Sequence, residues 1–112
     1  MATRVPVTLL LKQLTTTASD SAYTVPASST LTISAATLNN TTAGAVTATV
    51  QITPSGGSAL PIVSAYPIPV AGSAPTTVPG LVGQNMAAGA KLEAAAGANT
   101  SVNVWISGYL QT

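Results

Sequence analysis

AVTATVQIT, residues 45–53, alternates between apolar and polar side chains at almost every step. Val46, Ala48, Val50 and Ile52 fall on one side of an extended chain, and Thr or Gln falls on the other. A repeat of two is the pattern of a half-buried β-strand, and β-branched residues are enriched in strands. The stretch therefore predicts a strand that faces a core on one side and solvent on the other.

The same alternation occurs on both sides of this stretch. Residues 30–35 (TLTISA) and 101–107 (SVNVWIS) place an apolar residue at every second position. Apolar runs between turn-forming residues predict five further strands, which gives a total of about eight. These five lie at residues 7–15, 23–25, 62–70, 76–78 and 91–95.

Residues 38–44, LNNTTAG, separate the strands predicted at 30–35 and 45–53. Asn and Gly tolerate positive φ angles, and Asn forms local side-chain turns. We therefore expect these two strands to form an antiparallel hairpin.

Proline is distributed unevenly along the chain. None occurs in residues 30–53 or 91–112, whereas prolines crowd residues 54–79. Because proline cannot donate a hydrogen bond to a strand ladder, it is tolerated mainly at sheet edges and in loops. We expect the proline-free stretches to form interior strands. The middle third is expected to form an edge strand with irregular loops, or else an arm that lies on a neighbouring subunit.

Residues 85–96, NMAAGAKLEAAA, are rich in alanine, the best helix former. Gly89 and Gly97 leave only seven residues between them, and an isolated helix that short is marginal. We therefore expect a turn at Gly89 followed by a strand that carries Leu92.

These elements predict an all-β protein, a single antiparallel β-sandwich of about eight strands that spans residues 1–112 as one domain. A jelly-roll-like sandwich, an immunoglobulin-like sandwich with an extra strand and a small barrel all fit this number of strands.

The composition argues against chemistry. The chain has three Lys or Arg, two Asp or Glu, no His and no Cys. General acid and base catalysis, thiolate chemistry and metal binding rely mostly on those residue types. The two carboxylates, Asp20 and Glu93, lie in a polar turn and beside Lys91, and nothing in the sequence brings them together. We expect no enzymatic activity, no cofactor and no metal site.

The same composition limits the partners. A net charge of +1 without a basic run does not favour nucleic-acid binding. The mean hydropathy is positive at +0.47, but it comes from scattered Ala, and no window suits a membrane span. Val5 to Leu11 is too short an apolar run for a signal peptide, so we expect synthesis in the cytoplasm and no membrane partner.

Trp105 is the most informative single side chain. Alternation places it on the polar face of its strand, opposite Val104 and Ile106. Tyr109 and Tyr66 are candidates to extend the same surface. An aromatic there is typical of a subunit interface, of a platform for a sugar ring, or of packing between two buried sheet faces. We take Trp105, Tyr109 and Tyr66 as the candidate interface.

Short strand and turn motifs spread over most of the chain resemble those of small virion structural proteins of tailed bacteriophages. The motifs are YTVP at 23–26, LTI at 31–33, NTT at 40–42, VTATV at 46–50, PSGG at 54–57, LVGQ at 81–84, AGA at 88–90 and ISG at 106–108. None of them is a functional site, so the resemblance transfers no functional residue.

This resemblance implies a subunit mounted on the virion after synthesis in the bacterial host. Its most specific implication is a capsid decoration (cement) protein that binds the major capsid protein or other virion proteins and stabilises the shell. Decoration proteins commonly sit at symmetry axes, so we expect a homotrimer, with residues 1–14 or the proline-rich middle as an inter-subunit arm. The alternative is a tail- or fibre-associated module that binds a receptor glycan.

Overall fold

A computed structural model describes residues 4–71, 76–78 and 80–112. In that part of the chain it contains nine β-strands, one short 3-10 helix at Ala18–Asp20 and no α-helix. The strands are β1 (Arg4–Gln13), β2 (Ala22–Thr24), β3 (Thr30–Asn40), β4 (Val46–Thr53), β5 (Leu60–Ile68), β6 (Thr76–Thr77), β7 (Asn85–Met86), β8 (Lys91–Ala96) and β9 (Val102–Gln111). All eight strands expected from the sequence are present, and β7 was not anticipated.

The strands form two antiparallel sheets that pack face to face as a β-sandwich. Sheet A has the order β1-β9-β3-β6, with β7 also paired to β3, and sheet B has the order β2-β8-β4-β5. The early strands thus pair with the late ones in reverse order, β1 with β9, β2 with β8, β3 with β6 and β7, and β4 with β5. Successive pairs alternate between the sheets. This nested arrangement is the strand order of a jelly roll, which selects one of the three expected architectures.

Proline placement agrees with the sheet order. The four interior strands, β9, β3, β8 and β4, contain no proline. Pro6 lies in β1 and Pro61 and Pro67 lie in β5, and both strands are sheet edges. An edge strand can accommodate proline because one of its sides has no ladder partner. The expected division between interior and edge strands is confirmed for these strands.

The expected hairpin at residues 38–44 is wrong. β3 belongs to sheet A and β4 to sheet B, so the segment crosses between sheets instead of reversing within one. Asn40, which is buried, organises the crossing: its Nδ2 donates to the Gly44 carbonyl at 2.8 Å and its Oδ1 accepts from the Thr42 amide at 2.8 Å. Local turn chemistry was recognised correctly, but a turn does not specify which sheet the next strand joins.

The alanine-rich segment is a strand, as expected. Gly89 has a φ of +83°, the left-handed conformation of a turn, and β8 follows it. Leu92 is fully buried, as are Ala94 and Ala96 within a few per cent. Alanine therefore fills two of the three inward positions of β8.

The core lies between the two sheets and is built from Leu, Ile, Val, Ala and Met. Leu14, Leu31, Leu38 and Ile106 are among its fully buried side chains. Residues 4–13 of the segment expected as an arm form β1, paired along its length with β9, and residues 1–3 lie outside the described ranges. Among the residues that the structure describes, no helix is long and apolar enough to cross a membrane.

Candidate interaction surface

Strand β9 presents two aromatic side chains on the outside of sheet A. Val104 and Ile106 point into the core, so the residues between and after them point outward. Trp105 is 58% exposed, and Tyr109 lies four residues further along the same face, about 13 Å away at the rise of an extended strand. Trp105 is therefore not a core residue of this chain.

Leu11 on β1 is the direct cross-strand neighbour of Trp105. Its side chain is 63% exposed, although Leu9 and Leu10 just before it are buried. The register shifts between Thr8 and Leu10, which marks a β-bulge that turns both preceding leucines inward and leaves Leu11 outside. The result is an exposed pair of large apolar side chains.

Polar but uncharged residues surround this pair. Thr37 on β3 is the neighbour of Trp105 on the other side. An open groove of about 410 Å³ beside the ring is lined by Leu11, Thr37, Asn39, Asn103, Val104 and Trp105. Amide and hydroxyl groups can both donate and accept hydrogen bonds, so the groove suits a neutral ligand or protein surface.

Tyr109 lies on the same outward side of β9, towards the end of the strand. The Arg4 guanidinium lies 4.7 Å from the centre of its ring, a cation–π contact. A second groove, of about 240 Å³, is lined by Pro6, Val7, Thr8, Ser34, Ser107, Gly108 and Tyr109. The two grooves lie along the same outward side of β1 and β9, so they form one continuous surface.

We call this surface the outer face of sheet A. It comprises the outward residues of its five strands: Arg4, Pro6, Thr8, Leu11, Gln13, Thr30, Thr32, Ala35, Thr37, Asn39, Thr77, Asn85, Asn103, Trp105, Ser107, Tyr109 and Gln111. In the described part of the chain, Arg4 is the single charged residue on this face.

Tyr66 does not belong to this surface. It lies on β5 in sheet B, opposite the buried Ala48, and packs against the core. The structure therefore brings Trp105 and Tyr109 together and separates Tyr66 from both.

The sequence did not single out Leu11, Thr37, Asn39 or Asn103 as partners of Trp105. One signal for Leu11 was available, because three consecutive leucines in a strand cannot all face the same core. The bulge that decides which of them points outward leaves no clear mark in the sequence.

The two carboxylates of the chain lie in different parts of the fold. Asp20 lies in the 3-10 helix and accepts a hydrogen bond from the Thr15 hydroxyl at 2.8 Å, whereas Glu93 lies on β8 in sheet B and accepts one from the Thr53 hydroxyl at 3.0 Å. Across residues 4–71, 76–78 and 80–112, no three acidic, His or Cys side chains form a cluster that could hold a metal ion. Comparisons with protein-family models, curated proteins and solved structures find no match to this chain.

Proposed function

We propose that this chain is a non-enzymatic structural protein of a bacteriophage virion, most specifically a capsid decoration (cement) protein that binds and stabilises the shell. The observation that carries the proposal is the outer face of sheet A, a broad, nearly uncharged surface with Trp105 and Leu11 exposed side by side. The resemblance of its strand and turn motifs to small virion proteins supports the same function.

The fold suits a protein that acts by shape. A jelly roll is a rigid scaffold that recurs in viral capsid proteins. Its long ladders hold the exposed side chains in fixed positions. A net charge of +1 gives little repulsion between copies, so repeated subunits can pack closely on a symmetric shell.

The proposed partners are the major capsid protein and other copies of this chain, as a homotrimer at a symmetry axis of the particle. The chain is made in the bacterial cytoplasm and added to the virion there. No nucleic acid, membrane or cofactor takes part in this function.

Cryo-electron microscopy of the parent virion tests the proposal. A jelly-roll density that matches this chain and repeats on the capsid lattice is the expected result. Copies confined to the tail or its fibres would contradict the decoration function, and absence of the chain from purified virions would contradict the structural function as a whole.

A second candidate is a tail- or fibre-associated module that binds a receptor glycan. The groove beside Trp105 favours it, because an indole ring flanked by the amides of Asn39 and Asn103 can stack against a sugar ring and bind its hydroxyls. Glycan-array binding that is lost in Trp105→Ala and kept in Leu60→Ala, with folding intact in both, would support this candidate.

A further inference from the structure

The outer faces of the two sheets differ in their polar groups. In sheet B, the Glu93 carboxylate accepts hydrogen bonds from Gln51 at 3.2 Å and from Thr53 at 3.0 Å, and Lys91 lies two residues away on the same strand. Such a charged and hydrogen-bonded network is typical of a solvated surface. Within the described residues, the outer face of sheet A has Arg4 as its only charge and holds that charge against Tyr109 at one end.

The charge of Lys12 is also directed away from this face. Lys12 pairs in register with the inward-facing Val104, and its Nζ donates to the backbone carbonyl of Asp20 at 2.6 Å. The centre of the outer face of sheet A is therefore uncharged, and it carries the exposed Leu11 and Trp105. An exposed apolar pair on a neutral sheet face is a feature of protein contact surfaces.

The size of the face fits a contact between two proteins. Sheet A has three strands of ten or eleven residues and a fourth row made of the two-residue strands β6 and β7. At about 4.8 Å between rows and about 3.3 Å per residue, these rows cover on the order of 550 Å². Two such faces in contact would bury about 1,100 Å², just above the roughly 1,000 Å² that a specific interface needs.

The free edge of β1 is a poorer contact site than the face. Pro6 lacks an amide hydrogen, and the bulge between Thr8 and Leu10 interrupts the strand. Proline, charge and bulges at an edge oppose the addition of a further strand. Contact through the face needs none of these backbone groups.

We infer that the outer face of sheet A packs against the same face of a second copy of this chain, with Trp105 and Leu11 at the centre of the contact. A neutral face whose Thr, Ser, Asn and Gln side chains donate and accept hydrogen bonds is complementary to itself. A charged partner would leave its own charges unpaired there. Contact between the same face of two copies is two-fold and joins the free chain into a dimer, so the inference goes beyond the proposed function and is separate from the three-fold contacts of the homotrimer on the particle.

Trp105 is the only tryptophan in the chain, so its fluorescence reports directly on the contact. The full chain is diluted from about 100 µM to 0.1 µM while its mass is measured by analytical ultracentrifugation and its emission maximum is recorded. We expect the mass to fall from dimer to monomer and the emission maximum to shift to longer wavelength with the same midpoint concentration.

The matched variants are Leu11→Lys and Leu60→Lys. Leu60 is 58% exposed, like Trp105, but lies on β5 at the far edge of sheet B. We expect Leu11→Lys to raise the dissociation constant at least tenfold and Leu60→Lys to change it less than twofold. Circular dichroism spectra and melting curves show whether each variant folds. If Leu11→Lys does not fold, Thr37→Lys on the same face repeats the test.

Two results would overturn the inference. An oligomer whose emission does not change on dilution, and which Leu11→Lys leaves intact, would place the contact on another surface while preserving the proposed assembly. A chain that is monomeric at every concentration, with an emission that shifts only when phage capsids or oligosaccharides are added, would assign the face to that ligand. Binding of the wild-type chain to capsids, measured separately, tests the proposed function itself.

Discussion

Gly108 on β9 lies against the backbone of Thr32 on β3, so that a Cβ atom at position 108 would collide with the Thr32 carbonyl oxygen. The contact occurs next to the register shift between Ile33 and Ala35, where β3 is irregular. Only glycine allows the two interior strands of sheet A to approach this closely. The position of β9, the strand that carries Trp105 and Tyr109, thus depends on the lack of a side chain at Gly108.

Gly108→Ala is therefore expected to destabilise the fold by about 1–3 kcal/mol, because the two backbones must separate. Gly44→Ala is the control, since a Cβ there meets no atom of the described part of the chain within 4 Å. Urea unfolding at one fixed protein concentration measures both variants. Equal stability of the two variants would contradict the close approach of β9 and β3 at this position.

Asn40 is expected to be essential for the crossing from sheet A to sheet B. Asn40→Ala removes its bonds to the Gly44 carbonyl and the Thr42 amide, and we expect a loss of about 1–3 kcal/mol. Asn39→Ala, at the exposed neighbouring position, should stay within about 0.5 kcal/mol of the wild type. A similar loss in both variants would mean that the Asn40 amide does not organise the turn.

Ser21 carries a buried hydroxyl that has no hydrogen-bond partner among residues 4–71, 76–78 and 80–112. Ser21→Ala is expected to leave the free energy of unfolding unchanged or to raise it slightly, because no bond is lost and a polar group leaves the core. Ser101 is equally buried, but its hydroxyl donates to the Ala98 carbonyl at 2.6 Å. Ser101→Ala should cost about 1 kcal/mol, and thermal unfolding of the two variants should rank them in that order.

Alkaline pH is expected to destabilise the fold through Tyr23. Burial raises the pKa of the Tyr23 phenol above its ordinary value of 10.0, because the charged phenolate is poorly solvated. The unfolded chain therefore loses this proton at a lower pH than the folded chain does. The resulting contribution of Tyr23 to the free energy of unfolding is complete below about pH 10 and is lost as the pH rises through the raised pKa of the folded state. Unfolding of the wild type and Tyr23→Phe across pH 8 to 11.5 should show a smaller alkaline loss in the variant. Parallel curves would contradict this assignment.

Much of the fold could be predicted because local signals and sheet position agree. Alternation in residues 45–53 and 101–107 predicts which side chains enter the core, and Val50 and Ile106 are fully buried as expected. Proline distribution predicts which strands are interior, because the missing amide hydrogen has the same consequence in any sheet.

Strand pairing could not be predicted in the same way. The segment around Asn40 has the composition of a hairpin turn. The strands on either side of it nevertheless pair with β9 and β8, which begin more than fifty residues after Asn40 in the sequence. β7 was missed because two residues, Asn85 and Met86, are too few to show a period.

The candidate surface was predicted in part. Trp105 and Tyr109 share a face because they are four positions apart, an even number, on one regular strand. Tyr66 was placed with them on residue type alone, and its position on β5 in sheet B depends on the topology. Leu11 joins the surface because of a bulge, which shifts the phase of the strand by one residue.

Site-specific cross-linking tests most directly whether the outer face of sheet A meets a second copy. The chain has no cysteine, so Leu11→Cys and Leu60→Cys each introduce a single thiol on a clean background. Treatment of the folded chain with a short bismaleimide is expected to give covalent dimers with Leu11→Cys, few with Leu60→Cys, and none with either variant in denaturant. Equal dimer yields from the two folded variants would contradict the account.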